Sequence, residues 1–205
     1  MSDRPGVAAF DFDGTLVPGD SLPRFLARLH GRSRFAEILT RASPAMLLAY
    51  GRSGRDGAKA ALLARAVAGL DSGQVNAAGE AFAVDLTKRI RPVMAEWIRW
   101  HNRKGHRRVL VSASLAVYLE PFGRLAGFEQ VIATRLETGP NGRLTGRMDG
   151  ANVRSEEKAI RLRQILGPDP AELWAYGNSA GDREMLAMAD HPMRVGLGGR
   201  GLRRP

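Results

Sequence analysis

Residues 7–16, VAAFDFDGTL, decide the fold and locate a candidate site. The four apolar residues Val7–Phe10 are typical of a short buried strand. Asp11 and Asp13 follow it directly, and Gly14 permits a tight turn after them. In α/β sheets, ligands bind in the crevice beyond the carboxyl ends of the strands. The stretch therefore predicts a carboxylate-bearing site at the end of the first strand of such a sheet.

The Asp-x-Asp pattern also opens a calcium-binding EF-hand loop, and the neighbouring residues exclude that alternative. Leu16 stands where the EF-hand loop needs glycine, and Leu22 stands where it needs a bidentate glutamate. A predicted strand precedes the motif, whereas a helix precedes an EF-hand loop. The two carboxylates are therefore interpreted as parts of a different kind of site.

A long helical segment follows the motif. From Asp20 to about Ile90, helix signals succeed one another and no strand signal interrupts them. The predicted boundaries within the segment are Ser21 as a cap, Gly31 as a stop, Ser43 as a cap with Pro44 at the first helical position, and Asp71 as a cap. We expect the segment to form a helical lobe of its own.

Strands and helices alternate again in the second half of the chain. The signals there are a helix from Pro92, strands at 108–111, 130–133 and 173–176, and a hairpin turn at 139–142. Further helices are predicted from caps at Ser114 and Ser155 and near Arg183. This order predicts an α/β fold with a doubly wound, mostly parallel sheet and an inserted all-helical cap. We expect residues 1–18 and 91–205 to form the catalytic core and residues 19–90 to form the cap.

The composition of the 205-residue chain is that of a globular protein that folds in water. Hydrophobic residues make up 44% and charged residues 25%, which excludes disordered and collagen-like classes. The chain has no cysteine, which excludes disulfides, thiolate zinc sites and cysteine nucleophiles. The longest apolar run, residues 45–50, is far shorter than a membrane span. We therefore expect a cytoplasmic protein with no targeting sequence and no transmembrane segment.

The net charge of +10, from 31 basic and 21 acidic residues, indicates an anionic partner. The arginines are scattered along the whole chain, and aromatic residues make up only 6%, which disfavours a dedicated nucleic-acid surface. We expect an anionic small molecule as the substrate and no obligate nucleic acid. Peripheral contact with a membrane and the oligomeric state stay open.

Four segments, taken in order, resemble the motifs of the haloacid-dehalogenase-like (HAD) phosphatases, in the phosphoserine-phosphatase-like branch (subfamily IB) with a helical C1-type cap. They are residues 11–16 (DFDGTL), residues 109–112 (VLVS), Lys158, and residues 177–182 (GNSAGD). The first motif is highly specific and the last moderately so, whereas Ser112 and Lys158 gain weight from their order. The resemblance covers essentially the whole chain and implies a Rossmann-like core that hydrolyses phosphate monoesters.

The resemblance implies a two-step phosphoryl transfer. Asp11 is expected to attack phosphorus and form an aspartyl-phosphate, and Asp13 to protonate the leaving oxygen and later to activate water. Ser112 would donate a hydrogen bond to the phosphoryl group, and Lys158 would neutralise it. Lys158 also lies in the first turn of a predicted helix, where the helix dipole disfavours a cation, so an anionic group is expected nearby. An exposed lysine beside two glutamates is the alternative.

The resemblance also implies a magnesium ion. The candidate ligands are Asp11, the main-chain carbonyl of Asp13, Asn178 and Asp182, since Mg²⁺ prefers a few protein oxygens together with those of the substrate. Most relatives carry aspartate where this chain has Asn178, which leaves Asp182 as the only carboxylate of that loop. We expect Asp11 and Asp182 to supply the charge that holds the metal.

The residues expected to bind the substrate are Gly14, Asp20 and Ala113. Phosphoserine phosphatases of this branch usually carry glutamate where this chain has Asp20 and glycine where it has Ala113. These differences predict that phosphoserine is not the best substrate. The apolar stretch 45–50 of the expected cap fits either helix packing or a lining for a less polar substrate. The predicted substrate is a small or lipid-linked phosphate ester.

Two other classes of function stay open. Gly177-x-Ser179-x-Gly181 matches the nucleophile elbow of a serine hydrolase, which needs no metal, and lies between a predicted strand and a helix. Against it, His191 is expected to be too close in sequence to be brought round on a strand of its own as the catalytic base. The second class is a non-enzymatic module that binds phosphate or nucleic acid.

Overall fold

Six strands form one sheet in the computed structural model, which describes residues 6–167 and 172–196. The strands are β1 (Val7–Phe10), β2 (Arg107–Leu115), β3 (Gln130–Thr138), β4 (Leu144–Asp149), β5 (Leu173–Gly177) and β6 (His191–Arg194). Their order is β4-β3-β2-β1-β5-β6, with β4 antiparallel to β3 and the other neighbours parallel. The prediction of a mostly parallel α/β sheet is confirmed. The predicted core range also includes residues 1–5, 168–171 and 197–205, which lie outside the described residues.

A helical insertion lies between β1 and β2, as predicted. Its helices are α1 (Ser21–His30), α2 (Arg32–Ala66) and α3 (Ser72–Thr87), and α4 (Pro92–Arg103) then leads into β2. The second half of the chain has α5 (Ala116–Ala126), α6 (Glu156–Leu166), a 3₁₀ turn (Ala180–Asp182) and α7 (Arg183–Ala187). Gly31 ends α1 and the side chain of Asp71 caps α3, as predicted. α2 is broken at Ser53 and Gly54, whose backbone angles are not helical.

β1 lies at the centre of the sheet, between β2 and β5, and all four of its residues are buried. Phe10 stacks on Tyr176 in the apolar cluster on one face. Ala9 packs with Val109 in the cluster on the other face. A parallel sheet covered on both faces needs apolar side chains at every position of its inner strands. This requirement explains the unbroken apolar run that precedes Asp11.

Two predicted helix caps in the insertion are wrong. The N-cap of α1 is Asp20, whose side chain accepts a hydrogen bond from a backbone N–H of the first turn, and Ser21 is the first helical residue. Ser43 and Pro44 lie inside α2 and cap nothing. Proline removes one helical hydrogen bond, but Met46 packs against the core two residues later. This tertiary packing keeps the backbone helical through the proline.

The edge strand β6 has no clear signal in the sequence. It contains a proline and an arginine, and three of its four residues are exposed. Edge strands tolerate proline because one side of the strand has no ladder to complete. The alternation of buried and polar residues that identifies strands is therefore missing from β6.

The insertion packs on the core through α3 and through the end of α2. A Cβ at Gly79 in α3 would lie 2.1 Å from the carbonyl oxygen of Val117 in α5, so only glycine permits this approach. Backbone hydrogen bonds join Gly69 and Leu70, just after α2, to Leu144 of β4. No helix within the described ranges is long and apolar enough to cross a bilayer.

Candidate active site

One cavity of about 620 Å³ opens at the carboxyl ends of β1, β2 and β5, between the core and the insertion. Every site residue predicted from the sequence contributes to its wall. These residues are Asp11, Asp13, Gly14, Asp20, Ser112, Ala113, Lys158, Asn178 and Asp182. The carboxyl ends of parallel strands therefore bring together residues that lie up to 171 positions apart in the sequence.

Lys158 lies buried between two carboxylates. Its Nζ is 2.6 Å from Oδ1 of Asp11 and 2.6 Å from Oδ1 of Asp182. Ser155, at the start of α6, has a positive φ of 52° and donates its backbone N–H to the carbonyl oxygen of Gly181. This bond ties the first turn of α6 to the loop that contains Asp182. The anionic neighbours expected for Lys158 are present, and the alternative of an exposed lysine is excluded.

The three charges change one another's ionisation. Burial alone would lower the pKa of Lys158, but the charges of Asp11 and Asp182 raise it above its usual value. Burial would raise the pKa of Asp182, and the adjacent ammonium group outweighs that effect and lowers it. Burial raises the pKa of Asp11, and Lys158 opposes the shift. The triad is thus a compact site with one cation and two carboxylates, shielded from water.

Asp182 also orders the loop that follows β5. Its Oδ2 accepts hydrogen bonds from the backbone N–H groups of Asn178 and Ser179 and from the Ser179 hydroxyl. A Cβ at Gly177 would lie 2.5 Å from the Cβ of Asp182, which explains the glycine at the end of β5. Both oxygens of Asp182 therefore already accept hydrogen bonds.

Asp13 is held by three donors, none of which belongs to the Lys158 triad. Its Oδ1 accepts the backbone N–H of Ser21 at 2.9 Å, and its Oδ2 accepts the hydroxyls of Ser21 at 2.9 Å and Ser114 at 2.5 Å. Burial raises the pKa of Asp13 to about 7, against the opposing effect of the Ser114 hydrogen bond. A carboxyl group with this pKa can both give and take a proton near neutral pH.

Ser114 is therefore not the helix cap that the sequence predicts. α5 has Leu115 at its N-cap position and no side-chain cap, while the Ser114 hydroxyl contacts Asp13 and Ser21. Ser155 is a second exception, because it occupies the N-cap position of α6 without a side-chain cap bond. The Ser114 hydroxyl thus binds Asp13, and the Ser155 backbone N–H bonds to the loop that contains Asp182, whereas a local interpretation assigns both serines to helix capping.

Ser112 and Ala113 form the part of the wall contributed by β2. The Ser112 hydroxyl oxygen accepts the backbone N–H of Ser114 at 3.0 Å, and within the described residues its proton has no acceptor. The carbonyl oxygen of Ala113 accepts from Nζ of Lys59, which reaches down from α2. Lys59 also donates to Oδ1 of Asn152, and burial lowers its pKa to about 8. Lys59 thereby joins the insertion to the edge of the site.

Gly14 and Asn178 lie against each other. Gly14 has a φ of +79°, and a Cβ there would lie 2.0 Å from the side-chain nitrogen of Asn178 and 3.4 Å from its Oδ1. The carbonyl oxygen of Gly14 accepts a hydrogen bond from Arg91 at 3.2 Å. Asp20 lies further out on the wall, where its carboxylate caps α1. The glycine thus leaves room for an amide side chain beside the carboxylates.

The residues of this wall fit a hard divalent cation. Asp11 offers a carboxylate, Asp13 a main-chain carbonyl and Asn178 an amide oxygen, and oxygen donors of these kinds are what Mg²⁺ prefers. The described residues contain no cluster of three or more His, Cys, Asp or Glu side chains arranged to hold a metal. In general, Mg²⁺ in proteins keeps several waters and is bound by one or two carboxylates together with substrate phosphates. Direct ligation by Asp182 stays a prediction.

The geometry does not support a serine-hydrolase site at Ser179. Its hydroxyl donates to Asp182 and accepts from the backbone N–H of Gly181, and its backbone is extended (φ −121°, ψ 171°) rather than a strained turn. His191 does lie on a strand of its own, β6, so the sequence argument against it is wrong. It pairs with Glu172 at the amino ends of the strands, opposite the cavity, and so cannot serve Ser179.

Several residues of the site are not predicted from the sequence. The Thr15 hydroxyl donates to Oδ2 of Asp11 at 2.8 Å, and Ser21 and Ser114 hold Asp13. Lys59 and Arg91 line the cavity from the insertion and from the start of α4. The sequence does contain a signal that would place Ser114 in the site. Residues two apart on a strand face the same way, and Ser112 is a predicted site residue.

Comparison with known proteins identifies the family. Residues 8–187 match the haloacid dehalogenase-like hydrolase family, and the chain belongs to it. Protein CicA of Caulobacter vibrioides is 40% identical over 195 residues, which cover 93% of this chain and 86% of CicA. A protein of unknown function from Bordetella pertussis Tohama I has a similar crystal structure, with a TM-score of 0.76 at 26% identity over 93% of this chain and 90% of that one.

Comparison with solved structures shows that phosphoserine phosphatases share this fold. A structure of phosphoserine phosphatase, described as a phospho-aspartyl intermediate analogue, has a TM-score of 0.65 at 22% identity over 95% of this chain and 87% of that one. The protein is thus a hydrolase of the haloacid dehalogenase-like family, and its fold is that of the phosphoserine phosphatase structure.

Proposed function

We propose that the protein is a magnesium-dependent phosphomonoesterase that works through an aspartyl-phosphate on Asp11. The observation that supports this most strongly is the buried bridge from Lys158 to Asp11 and Asp182 at the carboxyl end of β1. A lysine in this place can neutralise a phosphoryl group that arrives beside the nucleophile. The neighbouring Asp13 has a pKa of about 7, as a proton-transfer group needs.

In the first step, a carboxylate oxygen of Asp11 attacks phosphorus while the bond from phosphorus to the leaving oxygen breaks. Asp13, in its protonated form, gives its proton to the leaving oxygen, so the product departs as a neutral alcohol. The hydrogen bonds from Ser21 and Ser114 hold the Asp13 carboxyl in one orientation for this transfer. The phosphoryl group is then bonded to Asp11.

In the second step, water attacks the phosphorus atom of the aspartyl-phosphate. Asp13, now ionised, accepts a proton from the water, and the bond from Asp11 to phosphorus breaks to release inorganic phosphate. Thr15 donates to the Asp11 carboxylate and keeps it aligned before and after the transfer. The enzyme returns to its starting protonation state.

Ser112 and Lys158 bind the phosphoryl oxygens in both steps. The hydroxyl proton of Ser112 is available because its oxygen is oriented by the N–H of Ser114. Lys158 is positioned by Asp182, which keeps the ammonium group charged in its buried place. These donors stabilise the charge that develops on the equatorial oxygens.

Asp11, the main-chain carbonyl of Asp13, and Asn178 would hold Mg²⁺, with Asp182 adding its charge and ordering the Asn178 loop. When bound, Mg²⁺ supplies positive charge that offsets the repulsion between the phosphate and the carboxylates. Asn178 contributes no charge of its own, so we infer that metal binding depends on Asp11 and Asp182.

The insertion, residues 19–90, is proposed to act as the cap that selects the leaving group. It contributes Asp20 and Lys59 to the cavity wall, and Lys59 contacts the carbonyl oxygen of Ala113. With Asp20 and Ala113 in place of the residues usual in phosphoserine phosphatases, the proposed substrate is a small or lipid-linked phosphate ester other than phosphoserine.

The test is phosphate release by the purified protein with Mg²⁺, measured against a panel of phosphate monoesters that includes phosphoserine, sugar phosphates, nucleotides and a lysophospholipid. We expect metal-dependent turnover of at least one panel member. Salt-sensitive binding of nucleic acid without any turnover would favour the non-enzymatic alternative. Turnover of carboxylic esters without metal would favour the serine-hydrolase alternative.

A further inference from the structure

The first part of α2, from Arg32 to the break at Ser53, has one covered side and one uncovered side. Phe35, Ile38 and Met46 pack against the core. On the uncovered side Leu47, Leu48 and Tyr50 are 75%, 59% and 55% exposed. None of residues 45–50 lines the cavity. The sequence predicts either helix packing or a substrate lining for this stretch, and neither describes these three side chains.

This cluster of three residues, which we call the apolar tip, differs from the other exposed apolar residues. The remaining large ones among the described residues are Leu39 in the same helix and three that lie in three other helices: Val84, Leu125 and Ile160. Single exposed apolar residues are normal on protein surfaces, whereas contiguous ones mark interaction sites. The apolar tip therefore needs a partner that removes leucine side chains from water.

Positive charge surrounds the apolar tip. Between residues 32 and 55 the sequence has five arginines and one acidic residue, Glu37. All five arginines are exposed, and Glu37 forms ion pairs with Arg34 and Arg41. Arg52 lies two residues beyond Tyr50, and no hydrogen bond or ion pair joins it to the described residues. The partner is therefore expected to be negatively charged as well as apolar.

We propose that the apolar tip docks on an anionic lipid surface. Leucine side chains insert below the headgroups, a tyrosine lies at the interface, and flanking arginines reach the lipid phosphates. Nucleic acid would satisfy the arginines and leave Leu47 and Leu48 in water. A second copy of this chain would cover the leucines but would oppose one arginine-rich surface to another.

The apolar tip lies a few residues before side chains that line the cavity. Arg55 and Asp56 follow the break in α2 directly, and both line the cavity. Docking of the apolar tip thus brings the mouth of the cavity close to the lipid headgroups. The docking surface does not depend on the proposed chemistry, and its test needs no turnover.

The test is sedimentation of the full chain with vesicles of phosphatidylcholine, with or without phosphatidylglycerol. We expect binding to the anionic vesicles that weakens from about 0.1 M to about 1 M salt, where the Debye length falls from ~10 to ~3 Å. Leu47→Ser should weaken binding at least tenfold, since it removes a leucine side chain that the lipid would bury. Arg52→Gln should weaken it about fivefold, the effect of one basic residue near an anionic surface.

Leu125→Ser is the matched control, because Leu125 is 57% exposed on α5 and lies outside the apolar tip. It should bind as the parent does, and circular dichroism of all variants checks that they fold. Equal binding by the parent and Leu47→Ser would overturn the proposal, since adsorption would then be purely electrostatic. Absence of vesicle binding, or a parent dimer that Leu47→Ser converts to a monomer, would also overturn it.

Discussion

Replacing Lys158 by methionine tests the electrostatics of the site in isolation from its chemistry. Methionine keeps the length of the side chain and removes the charge that separates Asp11 from Asp182. In the parent each carboxylate oxygen is 2.6 Å from Nζ, so the two oxygens are at most ~5 Å apart. At an effective dielectric constant of ~20, two negative charges at that separation repel by roughly 3 kcal/mol. Loss of one partner from a buried ion pair typically costs 3–5 kcal/mol, in agreement with that figure.

The assay is urea denaturation at neutral pH in the presence of a chelator, which removes divalent ions that would replace the ammonium group. We expect Lys158→Met to lower the free energy of unfolding by roughly 3–5 kcal/mol. Lys88→Met is the control, since Lys88 is exposed and pairs with Asp85 at 3.5 Å, and it should change stability by less than about 1 kcal/mol.

A double variant keeps the test valid if Lys158→Met alone does not fold. Lys158→Met with Asp182→Asn removes one of the two repelling charges, and so should be more stable than Lys158→Met alone. If Lys158→Met stays within about 1 kcal/mol of the parent, or if the double variant is less stable than the single one, the reasoning about the triad is refuted.

The remaining predictions concern the metal, the pH dependence of stability and the substrate. Asp182→Asn should raise the Mg²⁺ concentration needed for activity, whereas Asn178→Asp should be tolerated, because it adds charge where the parent has an amide; Mg²⁺ titrations of activity that show the reverse order would contradict this. His101 is buried between His106 and Tyr176, and burial lowers its pKa from 6.5 to about 3. Below pH 6.5 the unfolded chain therefore binds a proton that the folded chain excludes. The free energy of unfolding should fall by about 2 kcal/mol because of His101 as the pH is lowered from 6.5 to 5. His101→Gln should lack this loss in urea denaturation at the two pH values. Phosphoserine should not be the best substrate of the panel, and a clear preference for it would restore the usual specificity of the branch.

The fold follows from the sequence because its signals are local. The apolar run before Asp11 marks a central parallel strand, and the change from strand–helix alternation to helices alone marks the insertion. The edge strand β6 has no such signal, because an exposed strand that contains Pro192 has no apolar period to detect. Pro44 wrongly predicts the start of a helix for a related reason. Packing against the core outweighs the intrinsic tendency of proline to interrupt a helix.

The residues of the candidate site likewise divide into those that have a local sequence signal and those that do not. Lys158 is predictable because the helix dipole disfavours a cation in the first turn of a helix. An anionic neighbour is therefore expected, and the two carboxylates are that neighbour. Ser21 and Ser114 are assigned to helix caps because capping is the usual local role of serine there. Their partner is Asp13, and Ser114 lies 101 residues away from it. Contacts of this range become visible only when the strands are placed side by side.

The central claim, that Asp11 is the nucleophile, is tested most directly by comparing phosphate release by Asp11→Asn and Ser179→Ala. Both are measured with the best panel substrate and saturating Mg²⁺. Asparagine keeps the size of Asp11 and removes the charge that attacks phosphorus, so turnover should fall by several orders of magnitude. Ser179→Ala removes one of the hydrogen bonds to Asp182 and should leave most of the activity. Near-parental turnover by Asp11→Asn together with loss of turnover in Ser179→Ala would contradict the account.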